Sequence, residues 1–550
     1  MNLVKIGNVV INYEFYNTKL KYSDGDIEDV LLDAAKNNSM DKLLLSSNNW
    51  AVLYHCSDVR ENLLDWYPFK KEGTLLEIGA GCGALTGLFA KKVKSVTCIE
   101  LSERRTFINA YRNKKCDNIE IMLGNFQDIK ITEKYDYITL IGVWEYAGYY
   151  IDGEEPYLNM LKTLRSYLKD DGKLLIAIEN KTGLKYWNGA PEDHTGKLYS
   201  GLNDYVGEKK VCTFSKPEIE TMMKKAGFDT YKFYYPNPDY KLPDTIYSDD
   251  RLPQVGEIRN YRKDYNTARI YNFNDAIISD QICNDGMYPY FANSFLIECG
   301  GDCSDIIYAK YSRLRKEQYR IATIISKKGD FYEVRKKALG DKANEHIRNM
   351  TYNTVGNSKN LYCADIKMDG NESVTEFIEG QTMDSYLYQF RHDKIEFMNQ
   401  VKRFIQSYLK NIEAETTDFF ITSEFENLFG MEYVENAKCL KTTNIDLIFS
   451  NLILQADGKI YCIDNEWVFN FPIPLEYVMW RVASQLYSKY ISYLREEISR
   501  NNFLTEIGLD ENNFDIYAKM EHNFSENILG KNYMLNYRQA VMTIDCKMLS

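Results

Sequence analysis

The segment 75–83 reads L-L-E-I-G-A-G-C-G, and with Val96-Thr97-Cys98-Ile99-Glu100 downstream it constrains the fold more than any other part of the chain. The apolar run 74–78 predicts a buried strand, Gly79, Gly81 and Gly83 let the backbone turn tightly against a ligand, and 84–92 supplies the next helix. Glu100 ends a second strand, close to the offset of ~20 residues at which a ribose-binding carboxylate stands in a βαβ unit. The glycines are spaced G-x-G-x-G behind Glu77, not G-x-G-x-x-G as in dinucleotide-binding loops. That spacing favours S-adenosylmethionine, which has no pyrophosphate to seat on a helix N-terminus.

The pattern continues in alternation. Strands are predicted over 119–122, 135–142 and 173–178, with helices over 156–168 and after Ser215, whose capping partner Glu218 stands three residues on. This is α/β, a doubly wound, Rossmann-like arrangement. The third strand ends at Gly124-Asn125-Phe126, where an amide and an aromatic ring can receive adenine. Residues 46–298 resemble class I S-adenosylmethionine-dependent methyltransferases, with 291–297 as the last strand. The resemblance implies that Glu77, Gly79, Gly81, Glu100, Asn125 and Phe126 line the cofactor site, with Gly83 completing the loop. Within that class, Ile178-Glu179-Asn180-Lys181, Pro191-Glu192-Asp193-His194 and Tyr234-Tyr235-Pro236-Asn237-Pro238-Asp239-Tyr240 are similar to bacterial surface-polysaccharide methyltransferases. Glu145 is a candidate for the methionine portion of the cofactor or for the acceptor. Lys181, Lys185 and the candidate catalytic His194 lie where open α/β sheets bind ligands and are expected to neutralise an anionic acceptor.

One such domain does not fill 550 residues with 45% hydrophobic content. The expected division is an N-terminal arm or lid (1–45, helical over 27–35), the methyltransferase-like domain (46–300), a second domain (301–490) and a helical tail (491–550), with Gly300-Gly301 as the boundary signal. A formal charge of -12 disfavours a protein that wraps polyanions, so nucleic acid is not an expected partner. The twelve cysteines lack paired C-x-x-C clusters and read as reduced thiols, which with the absence of a signal-peptide pattern or a membrane-spanning apolar run predicts a cytoplasmic location; a peripheral place at the inner membrane face stays open beside it.

A second constellation stands near the C-terminus. Asn444-Ile445-Asp446 is followed by Asn451, two apolar runs joined by Asp457-Gly458, and Asp464. A two-residue hairpin loop would set Leu454 opposite Tyr461 and Asn451 opposite Asp464, converging hard oxygen ligands suited to Mg²⁺. Asp446 then sits where a kinase aspartate orients the attacking hydroxyl, and the arrangement resembles the protein-kinase and aminoglycoside-kinase-like superfamily. The resemblance implies a two-lobed α+β domain binding ATP. Alternation in 331–337 selects Lys336 for the ATP phosphates, with Lys337 as the alternative, while Glu345 is the candidate partner acid and 374–379 with Gly380 the hinge. Asp464-Asn465-Glu466 replaces Asp-Phe-Gly, Asn444 replaces the usual histidine, and the phosphate-covering segment 311–319 is basic where kinases are glycine-rich.

Together the halves resemble bifunctional chain-terminating enzymes of bacterial O-antigen synthesis. That resemblance implies ATP-dependent phosphorylation of a glycan or lipid-linked saccharide hydroxyl, methylation of the acceptor or its new phosphate, and a glycosyltransferase partner. Two alternatives stay open: an RNA adenine methyltransferase with an accessory domain, since 76–86 also resembles ribosomal dimethylases, and a sugar O-methyltransferase carrying a non-catalytic pseudokinase.

Overall fold

The structure is a computed structural model, and it describes residues 3–17, 23, 25–208, 211–258, 270–353, 361–412, 416–530 and 547–548. The glycine segment lies between β3 (Thr74–Ile78) and a helix, Thr86–Lys92, as the apolar pattern requires. The following strands are β4 (Ser95–Glu100), β5 (Ile119–Leu123), β6 (Tyr135–Ile141), β7 (Leu168–Glu179), β8 (Tyr231–Asn237) and β9 (Thr245–Ser248). After a short β10 (Ile270–Tyr271) comes β11 (Ser294–Cys299), and the central sheet order is β5-β4-β3-β6-β7-β11-β8. Strands β3 to β7 pair in parallel, and β11 runs antiparallel to both of its neighbours. Strand order reverses between β3 and β6, which opens a crevice at the carboxyl ends of those strands.

The strands are buried on both faces, so their residues divide between two cores. Leu76, Ile78, Ile138 and Ile176 belong to one, and Leu75, Val96, Tyr137 and Leu175 to the other. The expected strand over 291–297 starts later, because Tyr288–Phe291 forms a short helix with a proline in its first turn. The N-terminal segment is partly built into the sheet. A hairpin of β1 (Leu3–Ile6) and β2 (Val9–Asn12) adds beside β5, and helix Ile27–Lys36 packs on helix Glu103–Arg112 through the buried Glu28, 2.8 Å from Arg105.

Gly300 and Gly301 adopt positive φ (88° and 50°) and turn the chain. The sheet does not stop there. Strand β9 pairs with β12 (Ile306–Tyr311), and β13 (Ile321–Lys328), β14 (Phe331–Ala338), β17 (Glu372–Glu376) and β16 (Ile366–Asp369) continue it antiparallel to a total of 15 strands, leaving β15 (Leu361–Cys363) in a small separate sheet. Helix Asn344–Tyr352 lies against β14, β16 and β17.

Beyond this lies a helical core in which Phe429, Tyr477 and Phe524 meet, the rings of Phe429 and Phe524 stacked at 5.3 Å. The helices around the start of the expected tail are separate segments, Leu475–Lys489, Ile491–Leu494 and Arg500–Glu506. Residues after 490 are also no appendage, because Phe503, Tyr517 and Phe524 complete that core. Residues 531–546 and 549–550 of the expected tail lie outside the described residues. The described cysteines are free thiols, and no described helix is long and apolar enough to cross a membrane.

Candidate functional site

The three glycines of the loop do different work. All have positive φ: 68° at Gly79, 53° at Gly81 and 72° at Gly83. A Cβ on Gly79 would strike Val143 at 2.5 Å, and one on Gly83 would overlap the Asn109 amide, whereas one on Gly81 meets nothing nearer than the Gly79 carbonyl oxygen at 4.0 Å. Gly81 is therefore the glycine that leaves room for a ligand. Gly83, expected among the ligand-binding residues, instead lets the loop pack on helix Glu103–Arg112 and does not line the crevice.

Glu77, Glu100, Asn125 and Phe126 do line it. Glu100 accepts the Gly81 amide at 2.7 Å and the Ser102 amide at 2.8 Å, which fixes its carboxylate at the loop, and burial raises its pKa. Glu77 accepts the Thr86 hydroxyl at 2.6 Å, and burial pushes it up to about 7. Residues that sequence reasoning missed close the crevice: Tyr54 and Arg60 from the segment before β3, and Tyr146 and Tyr150 after β6. The Arg60 guanidinium lies 4.3 Å from the Tyr54 ring centroid; the residue is 4% exposed, and its Nε has no hydrogen-bond partner among the described residues. No motif marks it, because it reaches the crevice only through the folding back of 50–63.

Glu145 does not face the crevice. It is buried one residue behind Tyr146, its Oε1 3.5 Å from His194 Nε2. Glu179 Oε2 lies 3.9 Å from the same nitrogen, and Glu192 holds Nδ1 at 2.9 Å. Burial disfavours a charged His194, but Glu179, Glu145 and Glu192 outweigh it and hold its pKa well above the usual value. The three similar motifs at 178–181, 191–194 and 234–240 thus meet in one place. They bring no spare positive charge, contrary to expectation. Lys185 is committed to Asp193 (2.8 Å) and Asp239 (3.0 Å), and Lys181 to Glu218 (2.6 Å) and Asp204 (3.1 Å).

Comparison with known proteins bears on this half. Residues 51–232 match the family model described as a methyltransferase domain. This segment is a methyltransferase domain. An uncharacterized methyltransferase of Staphylococcus carnosus is 37% identical over 106 residues, 19% of this chain and 46% of that protein, so the chain spans less than half the length of this relative. A second uncharacterized methyltransferase, from Alkaliphilus oremlandii, is 31% identical over 142 residues, 26% of this chain and 62% of that one. Ribosomal RNA small subunit methyltransferase A of Syntrophus aciditrophicus is 22% identical over 229 residues, covering 39% and 79%.

Outside the methyltransferase domain a second carboxylate group forms. Asp446, Asp464 and Glu466 bring oxygens within 4.8 Å of one another, and Lys336 Nζ lies 2.6 Å from Asp464. Lys336 points inward from β14, while Lys337 turns toward Asp65 of the methyltransferase domain, 4.0 Å away. Asn444, standing where the usual histidine is absent, accepts the Asp446 amide at 2.7 Å and donates to the Asp464 carbonyl at 2.9 Å. Burial pushes Asp446 up to about 6 despite Arg481, 3.3 Å away.

Four expectations change here. Glu345 is exposed on its helix, and Glu466 takes the place beside Lys336, paired with Arg315 and 2.9 Å from His346. Burial opposes the Glu466 charge, but Arg315 and His346 hold its pKa well below the carboxylate range. Asn451 donates its amide to the Asp446 carbonyl at 3.0 Å, so it braces the loop. The hairpin register is one residue off: Ile453 faces Tyr461 and Leu454 faces Ile460, because Gly458 (φ 85°) follows a turn closed by its amide on the Gln455 carbonyl, making a three-residue loop. Asn451 therefore stands opposite Ile463, not Asp464. Finally, the basic segment is not free to clamp phosphates: Arg315 is spent on Glu466 of the carboxylate group, and Arg313 reaches Asn62 (2.5 Å) and Glu61 (3.4 Å) of the methyltransferase domain.

Proposed function

We propose that the chain transfers methyl groups from S-adenosylmethionine in its first site and phosphoryl groups from Mg-ATP in its second, acting on a saccharide hydroxyl or the phosphate formed there. The methyl-transfer reading is carried by the open face of Gly81 beside the Glu100 carboxylate. Glu100 retains lone pairs for a ribose hydroxyl pair, Asn125 and Phe126 suit a base, and the unpartnered Nε of Arg60 offers a cation to an amino-acid carboxylate. The cofactor supplies the electrophilic methyl group. The protein positions the acceptor oxygen in line with it and excludes water.

The phosphoryl-transfer reading is supported by Lys336 beside Asp464 and by the all-oxygen donor set of Asp446, Asp464 and Glu466, which fits Mg²⁺. Val374 to Glu379 leads to Gly380, whose missing Cβ admits the Leu454 carbonyl of the hairpin. Tyrosines and carboxylates around the first crevice suit a polyhydroxyl acceptor. Bare RNA would need free cations beside the crevice, and Lys181 and Lys185, the lysines expected to serve an anionic acceptor, are already paired.

The test incubates the full chain with labelled S-adenosylmethionine, labelled Mg-ATP and a panel of saccharides. We expect Glu100→Ala to abolish methyl transfer and Lys336→Met to abolish phosphoryl transfer. Label incorporation that survives both substitutions overturns the assignment, and nucleotide binding with no phosphate product on any acceptor reduces the second site to a binding module.

A further inference from the structure

Behind Tyr146, which lines the first site and packs on the His194 ring, lies a buried group that carries more negative charge than its own residues balance. Glu145, Glu179 and Glu192 surround His194, and Asp193 and Asp239 join them through Lys185 and Lys241. Counting both lysines and an imidazolium, the carboxylates still exceed the cations, and every one of these acids is buried or nearly so. Unbalanced buried charge of this kind is costly unless a proton or a bound cation completes it.

The geometry indicates where that cation belongs. Glu145 Oε2 and Glu179 Oε2 are buried with no hydrogen-bond partner among the described residues, and the two side chains are 1% and 0% exposed. Glu179 Oε2 is the atom that faces His194 Nε2, at 3.9 Å, while Glu145 Oε1 faces it at 3.5 Å. These separations are long for N–H···O hydrogen bonds, whose donor and acceptor stand ~2.7–3.2 Å apart. They come within a few tenths of an ångström of the roughly 3–3.5 Å between neighbouring ligands of one metal at ~2.1 Å bond lengths. Glu192 on Nδ1 fixes the ring so that Nε2 is the coordinating nitrogen, the usual carboxylate support of a ligand histidine, and Lys241 anchors the other oxygen of Glu179.

We propose that Glu145, Glu179 and His194 bind a first-row divalent cation behind Tyr146, at the edge of the glycine-loop crevice. One imidazole and two carboxylates suit Mn²⁺, Fe²⁺ or Zn²⁺. The open coordination positions take water or an acceptor oxygen, which makes an oxygen nucleophile more acidic; that last role rests on the methyl-transfer reading, whereas cation binding does not.

The probe is Mn²⁺ alone, added to the full chain carrying Asp464→Asn so that the second carboxylate group is weakened. Bound metal is counted by equilibrium dialysis, and its ligands are read by pulsed electron paramagnetic resonance. The expected result is one tightly bound Mn²⁺ with nitrogen coupling from an imidazole. Adding His194→Gln removes the coupling and lowers affinity at least tenfold, and adding Glu145→Gln lowers affinity while keeping the coupling. No bound Mn²⁺ in the Asp464→Asn chain, or binding that His194→Gln and Glu145→Gln leave unchanged, overturns the proposal. The measurement contains no S-adenosylmethionine, so its outcome does not depend on the methyl-transfer reading, which fails separately if the chain does not bind labelled S-adenosylmethionine in a second dialysis.

Discussion

Alanine at Gly81 and alanine at Gly83 should separate ligand binding from folding. Both positions have left-handed backbone, so each substitution costs about 1–2 kcal/mol for the added Cβ. At Gly81 nothing else is disturbed, since the new methyl meets no atom closer than 4.0 Å. Unfolding temperature should fall by roughly 2–8 °C, but the methyl projects toward the ligand, so affinity for S-adenosylmethionine should drop at least about tenfold, or ~1.4 kcal/mol. At Gly83 the methyl displaces Asn109, which donates to Thr86 at 3.1 Å and accepts from Asn113 at 2.8 Å. Losing one or two buried hydrogen bonds adds about 1–3 kcal/mol each, so destabilisation should total roughly 2–8 kcal/mol. The folded fraction should keep its affinity within about threefold, ~0.6 kcal/mol, because Gly83 does not line the crevice. Thermal unfolding and isothermal titration of the full chains provide both numbers. Equal losses of stability in the two variants, or undiminished affinity in Gly81→Ala, would refute the division of roles.

Three more outcomes follow from the same geometry. Burial holds Glu77 at about 7 against 4.5 for an ordinary glutamate, so the folded chain binds a proton that the unfolded chain releases. The stability this gives is complete below about pH 4.5 and is lost as pH rises to about 7; Glu77→Gln should match the parent near pH 4 and exceed it by on the order of 3 kcal/mol at pH 8 in urea unfolding. Arg60→Met should raise the Kd for S-adenosylmethionine about tenfold or more, worth ~1.4 kcal/mol, with little change for an analogue lacking the carboxylate. Glu345→Ala should shift stability by less than about 0.5 kcal/mol, whereas Glu466→Gln, which leaves Arg315 without its carboxylate, should destabilise by about 3 kcal/mol and weaken Mg²⁺ binding.

The sequence by itself determined what depends on neighbours along the chain. The apolar run before Gly79, the carboxylate at Glu100 and the Ser215–Glu218 cap are local signals, and the strand, the loop and the capped helix stand where those signals put them. Alternation likewise chose Lys336 over Lys337, since period two decides which face a strand residue takes. Only tertiary structure decided how distant segments meet. Which face Glu345 takes depends on the rotation of its helix, which packing sets: burial of Ile347 and Met350 turns Glu345 outward and leaves the place beside Lys336 to Glu466. The hairpin register depended on one extra loop residue, and a slip of one residue is enough to move Asn451 away from Asp464. The same holds for Arg60, which has no motif, and for Glu145, Glu179 and His194, which come from three separate segments. Charge balance among such groups is a property of the folded interior, where desolvation makes it matter, and no linear pattern records it.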